Sequence, residues 1–508
     1  MNWEVPIMRS TTSCFNPMLF KKNLLRFWPL WAGYTLIWCL ILPLPLISEL
    51  SGYWEPELSY ISRNILSIST YGGLTLSAIF GIFFAMAMFS YLTSPRATQG
   101  FHAMPARRET LYVTNYLSGL WCMIFTLLLT FLFTGIVTAA TGYFAFSPLW
   151  QGFAAAVLMS FFFYSFGVLC MMFTGQLLAA PVFYGILNFL AIALEFLARN
   201  FAGTFLYGYS DRFDKIFTDV LSPIYCMASR LHVTYLYAEM LPDIRYEGLH
   251  GDIIGVKLEG LGLLGIYALV VILIAFLGLF IYRRRASEAT GSTVAIPWAQ
   301  PIFKYGVAFC SAFSLGQLIY YILVGFRLGN GQYSLAGTIA CMVISGLLGY
   351  FAAEMLLKKR FHVWKSGKVG AAFVTAILVL FGFSMSLDLT GYESYVPAAD
   401  DIETAYVDLS SSNESFYGVV SDRETLIDLT AAHQSIISDK DRQLSFMKDS
   451  YDTPVDNSIG ESYLYFRVTY TLKNGKIISR SYPQSRAFAA ELSDAGSVAA
   501  NMTAFLNT

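Results

Sequence analysis

Ser94-Pro-Arg-Ala-Thr-Gln-Gly-Phe-His-Ala-Met-Pro-Ala-Arg-Arg-Glu-Thr-Leu111 is a charged loop between two apolar stretches, Ile68–Leu92 before it and Leu111–Ala140 after it. Each flank is long enough to cross a bilayer as a helix. The loop carries Arg96, Arg107 and Arg108 against a single acid, Glu109, so the positive-inside rule places it in the cytoplasm. It also has helix punctuation of its own. Ser94 is predicted to cap a short helix with Pro95 at its first position, and Pro105 to open the helix that follows. A short helix lying across the membrane face between two spans passes motion from a cytoplasmic partner into the bilayer. A loop that only anchors the chain has the same charge, and on charge alone the anchoring reading is the stronger.

The rest of the chain supports spans on both sides. Of 508 residues, 56% are hydrophobic and only 13% charged, far from a soluble composition. A net charge of −1 leaves no electrostatic footprint for nucleic acid; the basic residues cluster by topology instead. Of seven cysteines, Cys39, Cys122, Cys170, Cys310 and Cys341 fall in apolar spans and Cys14 precedes the first. Only Cys226 falls in an exterior loop, so no structural disulfide is expected, and no Cys or His pair has zinc spacing. The first 23 residues lack the form of a signal peptide, since the span after them is too long and too aromatic for a cleaved segment.

Toward the N-terminus, Asn16-Pro17 starts a helix bearing Lys21, Lys22 and Arg26, read as amphipathic and bending into a first span at about Leu24–Ser48. The acidic loop with Glu49, Glu55 and Glu57 suits the outside. Toward the C-terminus, spans follow at Leu149–Thr174, Leu177–Ala198 and Glu259–Tyr282, the last ending on Arg283-Arg284-Arg285. The break at 200–258 is predicted to hold an amphipathic helix around Phe213–Leu221 and a second helix over Ile224–Met240. Three further spans, Ile302–Phe326, Tyr333–Leu357 and Val369–Leu389, enclose the inside cluster Lys358-Lys359-Arg360, Lys365 and Lys368. Counting crossings from an inside N-terminus, about nine spans put every basic cluster in the cytoplasm and the C-terminus outside. Glu195 with Arg199 and Glu354 with Lys358 read as snorkelling pairs four residues apart. Gly262, Gly265 and the other span glycines are expected to permit close helix packing.

From Thr390 the composition turns soluble. Strands are read at Ala405–Leu409, Phe416–Val420, Leu464–Leu472 and Ile477–Tyr482, the last two joined through Asn474-Gly475. Ser421-Asp-Arg-Glu424 reads as a capping box for a helix, and a last helix is expected over about Ser485–Phe505. This gives an extracytoplasmic α+β domain of roughly 110 residues, enough to hold its own core. The five histidines are scattered singly, as surface or core residues. No phosphate loop, dinucleotide fingerprint, zinc-protease motif or nucleophile elbow is present in the sequence. The chain is therefore not expected to be an enzyme by itself or to need a cofactor, and energy for work in the membrane must come from elsewhere.

The run Phe101-His-Ala-Met-Pro-Ala-Arg-Arg-Glu-Thr-Leu-Tyr-Val-Thr-Asn-Tyr-Leu-Ser-Gly119 resembles the loop between the second and third spans of ABC-2-type transporter permeases from Gram-positive bacteria. Those carry a pattern close to His-x-Leu-Pro-x-x-Arg-x-x-Leu; here Met104 replaces the leucine. Asn16-Pro-Met-Leu-Phe-Lys-Lys-Asn-Leu-Leu-Arg-Phe-Trp-Pro29 resembles their N-terminal connecting helix. The resemblance covers roughly residues 16–285, and the whole is similar to members bearing extra spans and an extracytoplasmic module. It implies a polytopic α-helical membrane protein of about nine transmembrane helices: a six-helix ABC-2-like domain over 1–285, three more helices over 286–390 and the α+β domain over 391–508. It also implies a plasma-membrane permease that moves a peptide, antimicrobial or lipid-like substrate. Its partners would be a separate ATPase, a second permease subunit, identical or different, and membrane lipids. Ser94–Arg108 would be the coupling helix, with Arg96, an exposed Phe101, His102, Pro105, Arg107, Arg108 and Glu109 forming the ATPase-coupling loop. The rival class is a membrane sensor whose external domain binds a peptide or envelope component.

Overall fold

Asn16 opens the first helix as its sequence suggests. Its side chain accepts the N–H groups of Met18 and Leu19, and Pro17 takes the first position of α1 (Pro17–Arg26). The structure, a computed structural model, describes residues 14–52, 56–103, 106–210, 218–237, 253–285, 290–325, 335–388, 391–410, 415–441 and 464–484. Buried Asn23 of α1 donates to Asn115 (2.7 Å) and Ser118 (3.2 Å) of α7 (Arg108–Ala140). The first span is two pieces, α2 (Trp28–Ile41) and α3 (Pro43–Leu50), because Pro43 and Pro45 interrupt the backbone ladder. The second apolar helix starts ten residues earlier than expected. α4 (Leu58–Ser67) runs through a π turn, Ile68–Gly72, into α5 (Gly73–Phe89), since Ile61 and Ile65 bury one face of that extra length.

Against α5 packs α8 (Phe146–Phe173), with small residues on both helices. A Cβ on Gly81 would lie 2.8 Å from the Phe163 carbonyl carbon, and Ser77 and Ser160 share a 2.8 Å hydrogen bond. The close-packing role expected of Gly262 and Gly265 is not theirs, since a Cβ on either would meet nothing within 4 Å. After α9 (Ala179–Phe205), α10 (Pro223–Arg230) is shorter than expected. The chain leaves it as strand β1 (His232–Tyr237), paired antiparallel with β2 (Ile253–Glu259). Val233, Thr234 and Tyr235 favour the pleated surface over a helix. Asp219–Leu221 is a 3₁₀ turn, and residues 211–217 of the expected amphipathic helix lie outside the described residues. Cys226 is buried, and every described cysteine is free. Then come α11 (Leu261–Arg284), α12 (Ala299–Tyr320), α13 (Leu335–Lys358) and α14 (Trp364–Ser386). Among the described residues nine helical stretches are long and apolar enough to cross a membrane.

By its packing the chain divides into two units, Met1–Ile192 with Thr218–Gln300, and Ala193–Phe217 with Pro301–Thr508. Helix α9 begins in the first and ends in the second. Within the second, Phe201 stacks on Phe381 and meets Phe313 edge-on, and Glu195 pairs with Arg199 at 2.7 Å. Glu354 is buried and holds two ammonium groups, Lys358 at 2.6 Å and Lys304 at 3.1 Å.

The second unit also holds an antiparallel sheet ordered β4-β3-β5-β6, from β3 (Ile402–Ser410), β4 (Ser415–Val420), β5 (Leu464–Leu472) and β6 (Ile477–Gln484). Ala405, Val407, Phe466, Val468 and Tyr470 share the face packed on Leu426 and Leu429 of α15 (Arg423–Ser438). The helix cap falls on Asp422, whose carboxylate accepts the Thr425 N–H, one residue after the expected Ser421. Gly475 takes φ +79 at the β5–β6 turn, as Asn-Gly implies. His433 is fully buried, with Nε2 2.7 Å from the Tyr482 hydroxyl and Nδ1 3.1 Å from that of Tyr470. Burial, and then the charge of Arg480, push its imidazole down to about 4. The sheet edge at β6 is capped by Tyr207–Ser210, just beyond α9, where Ser481 N–H donates to the Gly208 carbonyl (3.1 Å). Gly208 has φ +78 and lies against the Tyr482 ring, so no side chain fits there. The expected helix over Ser485–Phe505 lies outside the described residues.

Candidate functional site

The loop at the centre of the sequence forms a short helix, α6 (Pro95–His102), with Pro95 at its first turn. Ser94 has the extended backbone of a cap residue, but its side chain caps nothing. Thr98, one turn later, ties the helix to the turn before it. Its hydroxyl donates to the carbonyls of Tyr91 (2.7 Å) and Ser94 (2.9 Å), while its N–H also reaches Ser94 (2.9 Å). One side of α6 therefore faces the protein through Ala97, Thr98 and Phe101, and the other shows Arg96, Gln99 and Gly100 to the surroundings.

The sequence led us to expect an exposed Phe101, and the structure differs. The Phe101 ring is half-buried and stacks on Tyr91 at 4.3 Å and 15°, because the 3₁₀ turn Ser90–Thr93 folds that tyrosine under the helix. Tyr91 donates its hydroxyl to Tyr282 of α11 (2.9 Å), and the Tyr282 ring leans on Tyr112 of α7 at 5.6 Å. Tyr112 in turn donates to the Ala275 carbonyl of α11 (3.0 Å), across a gap that exists because residue 278 is glycine.

Arg285, the residue after α11, locks this arrangement. Its guanidinium donates to the carbonyls of Met171 (2.9 Å) and Met172 (3.3 Å) in the last turn of α8 and of Leu92 (3.1 Å) just before α6. Those are carbonyls that a helix end leaves without partners, at the negative end of its dipole. Burial lowers the Arg285 pKa to about 10, which keeps it charged at neutral pH. Arg108 donates to the carbonyls of Arg283 (3.4 Å) and Arg285 (3.2 Å), Glu109 pairs with Arg283 (3.2 Å), and Arg284 lies over the Phe280 ring (4.2 Å). The segment after α11 also runs beside the α8–α9 turn. Gly175 N–H donates to Ser292, Gly291 N–H to Gly175 and Ala295 N–H to Phe173.

Of the seven residues expected to form the coupling loop, Phe101, Arg108 and Glu109 are thus drawn into the protein. Arg96 and Arg107 are exposed, and their side chains make no hydrogen bond or ion pair with any described residue. His102 closes α6, and Pro105 lies outside the described residues. Arg285, Tyr91, Tyr282 and Thr98 were missed, because Arg283-Arg284-Arg285 reads in sequence only as a topology marker. Among the described residues no three His, Cys, Asp or Glu side chains come together to hold a metal. No protein-family model, curated protein or solved structure matches this chain. Chemically, the site offers two guanidinium groups without a partner among the described residues, Arg96 on α6 and Arg107 just before α7, and such groups can dock an acidic surface.

Proposed function

We propose that the chain is the permease subunit of an ABC-2-type transporter, and that α6 seats in a groove of a separate cytoplasmic ATPase. The observation that carries this reading is the build of α6. It is an eight-residue helix between two candidate spans, clamped on one side by Thr98 and Phe101 and presenting Arg96 on the other, and Arg107 follows just before α7; neither guanidinium has a partner among the described residues. A push on α6 would pass through Tyr91 to Tyr282, and through Leu92 to Arg285 and the end of α8. In this reading nine spans cross the plasma membrane, the arginine and lysine clusters lie inside and the C-terminal domain lies outside. A second permease subunit completes the transporter, and ATP hydrolysed by the partner moves a peptide, antimicrobial or lipid-like substrate. The sensor reading has one observation in its favour: the sheet edge is tied to Tyr207–Ser210, directly after a candidate span. The domain would then signal through α9 without an ATPase.

Affinity purification of the full chain from its native membrane tests the two. The transporter reading expects a nucleotide-hydrolysing subunit to copurify. Arg107→Lys should weaken that association about tenfold, because an ammonium cannot reproduce a planar fork on a carboxylate. Purification without an ATPase, or an Arg107→Lys variant that holds it as tightly as wild type, rejects the transporter reading in favour of the sensor.

A further inference from the structure

The turn between α13 and α14 carries the second large basic cluster, and the chain leaves most of it unused. Lys359 adopts φ 52, a left-handed conformation uncommon for a bulky residue, and this ends α13 abruptly. Lys358, Lys359, Arg360, Lys365 and Lys368 are all exposed. Lys358 turns back to Glu354, but Lys359, Arg360, Lys365 and Lys368 make no hydrogen bond, ion pair or ring contact with any described residue. No acid occurs between Lys358 and Asp388, and the acid before them, Glu354, is buried and already holds two lysines. Interleaved with the cations are large apolar side chains in the open: Phe361 is 87% exposed, Val369 85% and Trp364 64%. Trp364 rests one side of its indole on Phe351 at 4.4 Å, which holds it at the end of the helix pair.

We infer that the Lys358–Lys368 turn is a binding surface for anionic phospholipid headgroups in the leaflet that surrounds α13 and α14. The inference rests on the membrane part of the proposed function and not on the ATPase. Aromatic rings set at the ends of apolar helices belong at headgroup depth, and unpaired ammonium groups beside them meet lipid phosphates. Three of the four unpartnered cations are lysines, point charges that suit phosphates in a fluid array better than one fixed carboxylate. An acidic protein would match the charge but would leave Phe361, Trp364 and Val369 without an apolar partner at the helix ends.

The test reconstitutes the full chain into vesicles of equimolar phosphatidylglycerol and phosphatidylcholine, extracts it gently, and measures the lipids that remain bound by native mass spectrometry. Wild type is expected to retain phosphatidylglycerol several-fold over phosphatidylcholine. A variant with Lys359→Gln, Arg360→Gln, Lys365→Gln and Lys368→Gln should fall to near parity, while Lys359→Arg, Lys365→Arg and Lys368→Arg together should keep the preference. Equal retention of the two lipids by wild type overturns the inference. So does a glutamine variant whose preference is undiminished, or one whose only loss is an acidic protein that copurified with wild type. ATPase copurification is scored on the same preparations, so that failure of the transporter reading shows separately.

Discussion

Around Ser94–Leu111 four arginines are spent on the chain itself, and only Arg96 and Arg107 among the described residues of that region are left over. Arg285 fastens three carbonyls, Arg108 two more, Arg283 takes Glu109 and Arg284 covers Phe280. Around Lys358–Lys368 four of five cations reach for nothing among the described residues. Both stretches obey the same sequence rule, basic residues flanking apolar helices, yet one has been built into a brace and the other left as a surface. The difference lies in what surrounds them. Two helix ends, the last turn of α8 and the turn before α6, converge on Arg285 and supply carbonyls in need of donors. The turn after α13 joins two helices in a single reversal, and the helix beside it, α12, arrives near its N-terminal end with Lys304 on Glu354, an end that offers N–H groups rather than carbonyls.

The sharpest way to break this comparison is to remove the brace. Arg285→Gln leaves the carbonyls of Met171, Met172 and Leu92 short of donors in a buried place, and a loss on the order of 3 kcal/mol is expected. It should show as a lower unfolding temperature of the full chain in detergent and faster proteolysis within residues 94–107. Arg285→Lys should restore only part, since one ammonium cannot fork across two helix ends. A variant that melts with wild type would mean that Arg285 marks topology and nothing more.

Acid should separate the two units next. His433 is held at about 4 in the folded domain against about 6.5 when free, so between those values the unfolded chain binds a proton that the folded one refuses. Stability is therefore full above about pH 6.5 and is lost as pH falls toward 4, by about 2 kcal/mol at pH 5. Arg285, at about 10, keeps its charge throughout that window. Hydrogen exchange at pH 5 relative to pH 7, corrected for the intrinsic rate, should quicken in β5 and β6 but not in α6. His433→Gln should remove the difference, and equal quickening in α6 would contradict it.

The smallest effect is expected where charge is unspent. Replacing Lys359, Arg360, Lys365 or Lys368 singly with Gln should move the stability of the detergent-solubilised chain by less than about 0.5 kcal/mol. A larger change would show that these side chains hold the fold after all.

Much of the helical layout was legible in the apolar runs, because a stretch that satisfies its backbone internally over twenty residues leaves a periodic mark in sequence. The C-terminal sheet was legible for the same kind of reason: Leu464–Leu472 alternates, and Asn474-Gly475 supplies the turn. The β1–β2 hairpin was not, since its strands are separated by fifteen residues with no tight-turn signal. Close packing was misassigned to Gly262 and Gly265, because sequence does not say which face of a helix meets a neighbour. At the candidate site, Arg96, Phe101, Arg107 and Arg108 were found by position, but their roles were not. Whether an arginine is spent inward depends on carbonyls nearly two hundred residues away in the chain, as Leu92 is from Arg285.

Gly208 and its neighbours have a consequence for synthesis. The segment Tyr207–Ser210 leaves the ribosome about 270 residues before the β6 strand whose edge it covers. At typical elongation rates that is a wait of roughly 15 to 55 s. Through that interval the segment must stay available while the helices α10 to α15 and the strands β1 to β5 are made. A ribosome that stalls after β5 would release a chain whose last strand and its waiting partner never meet.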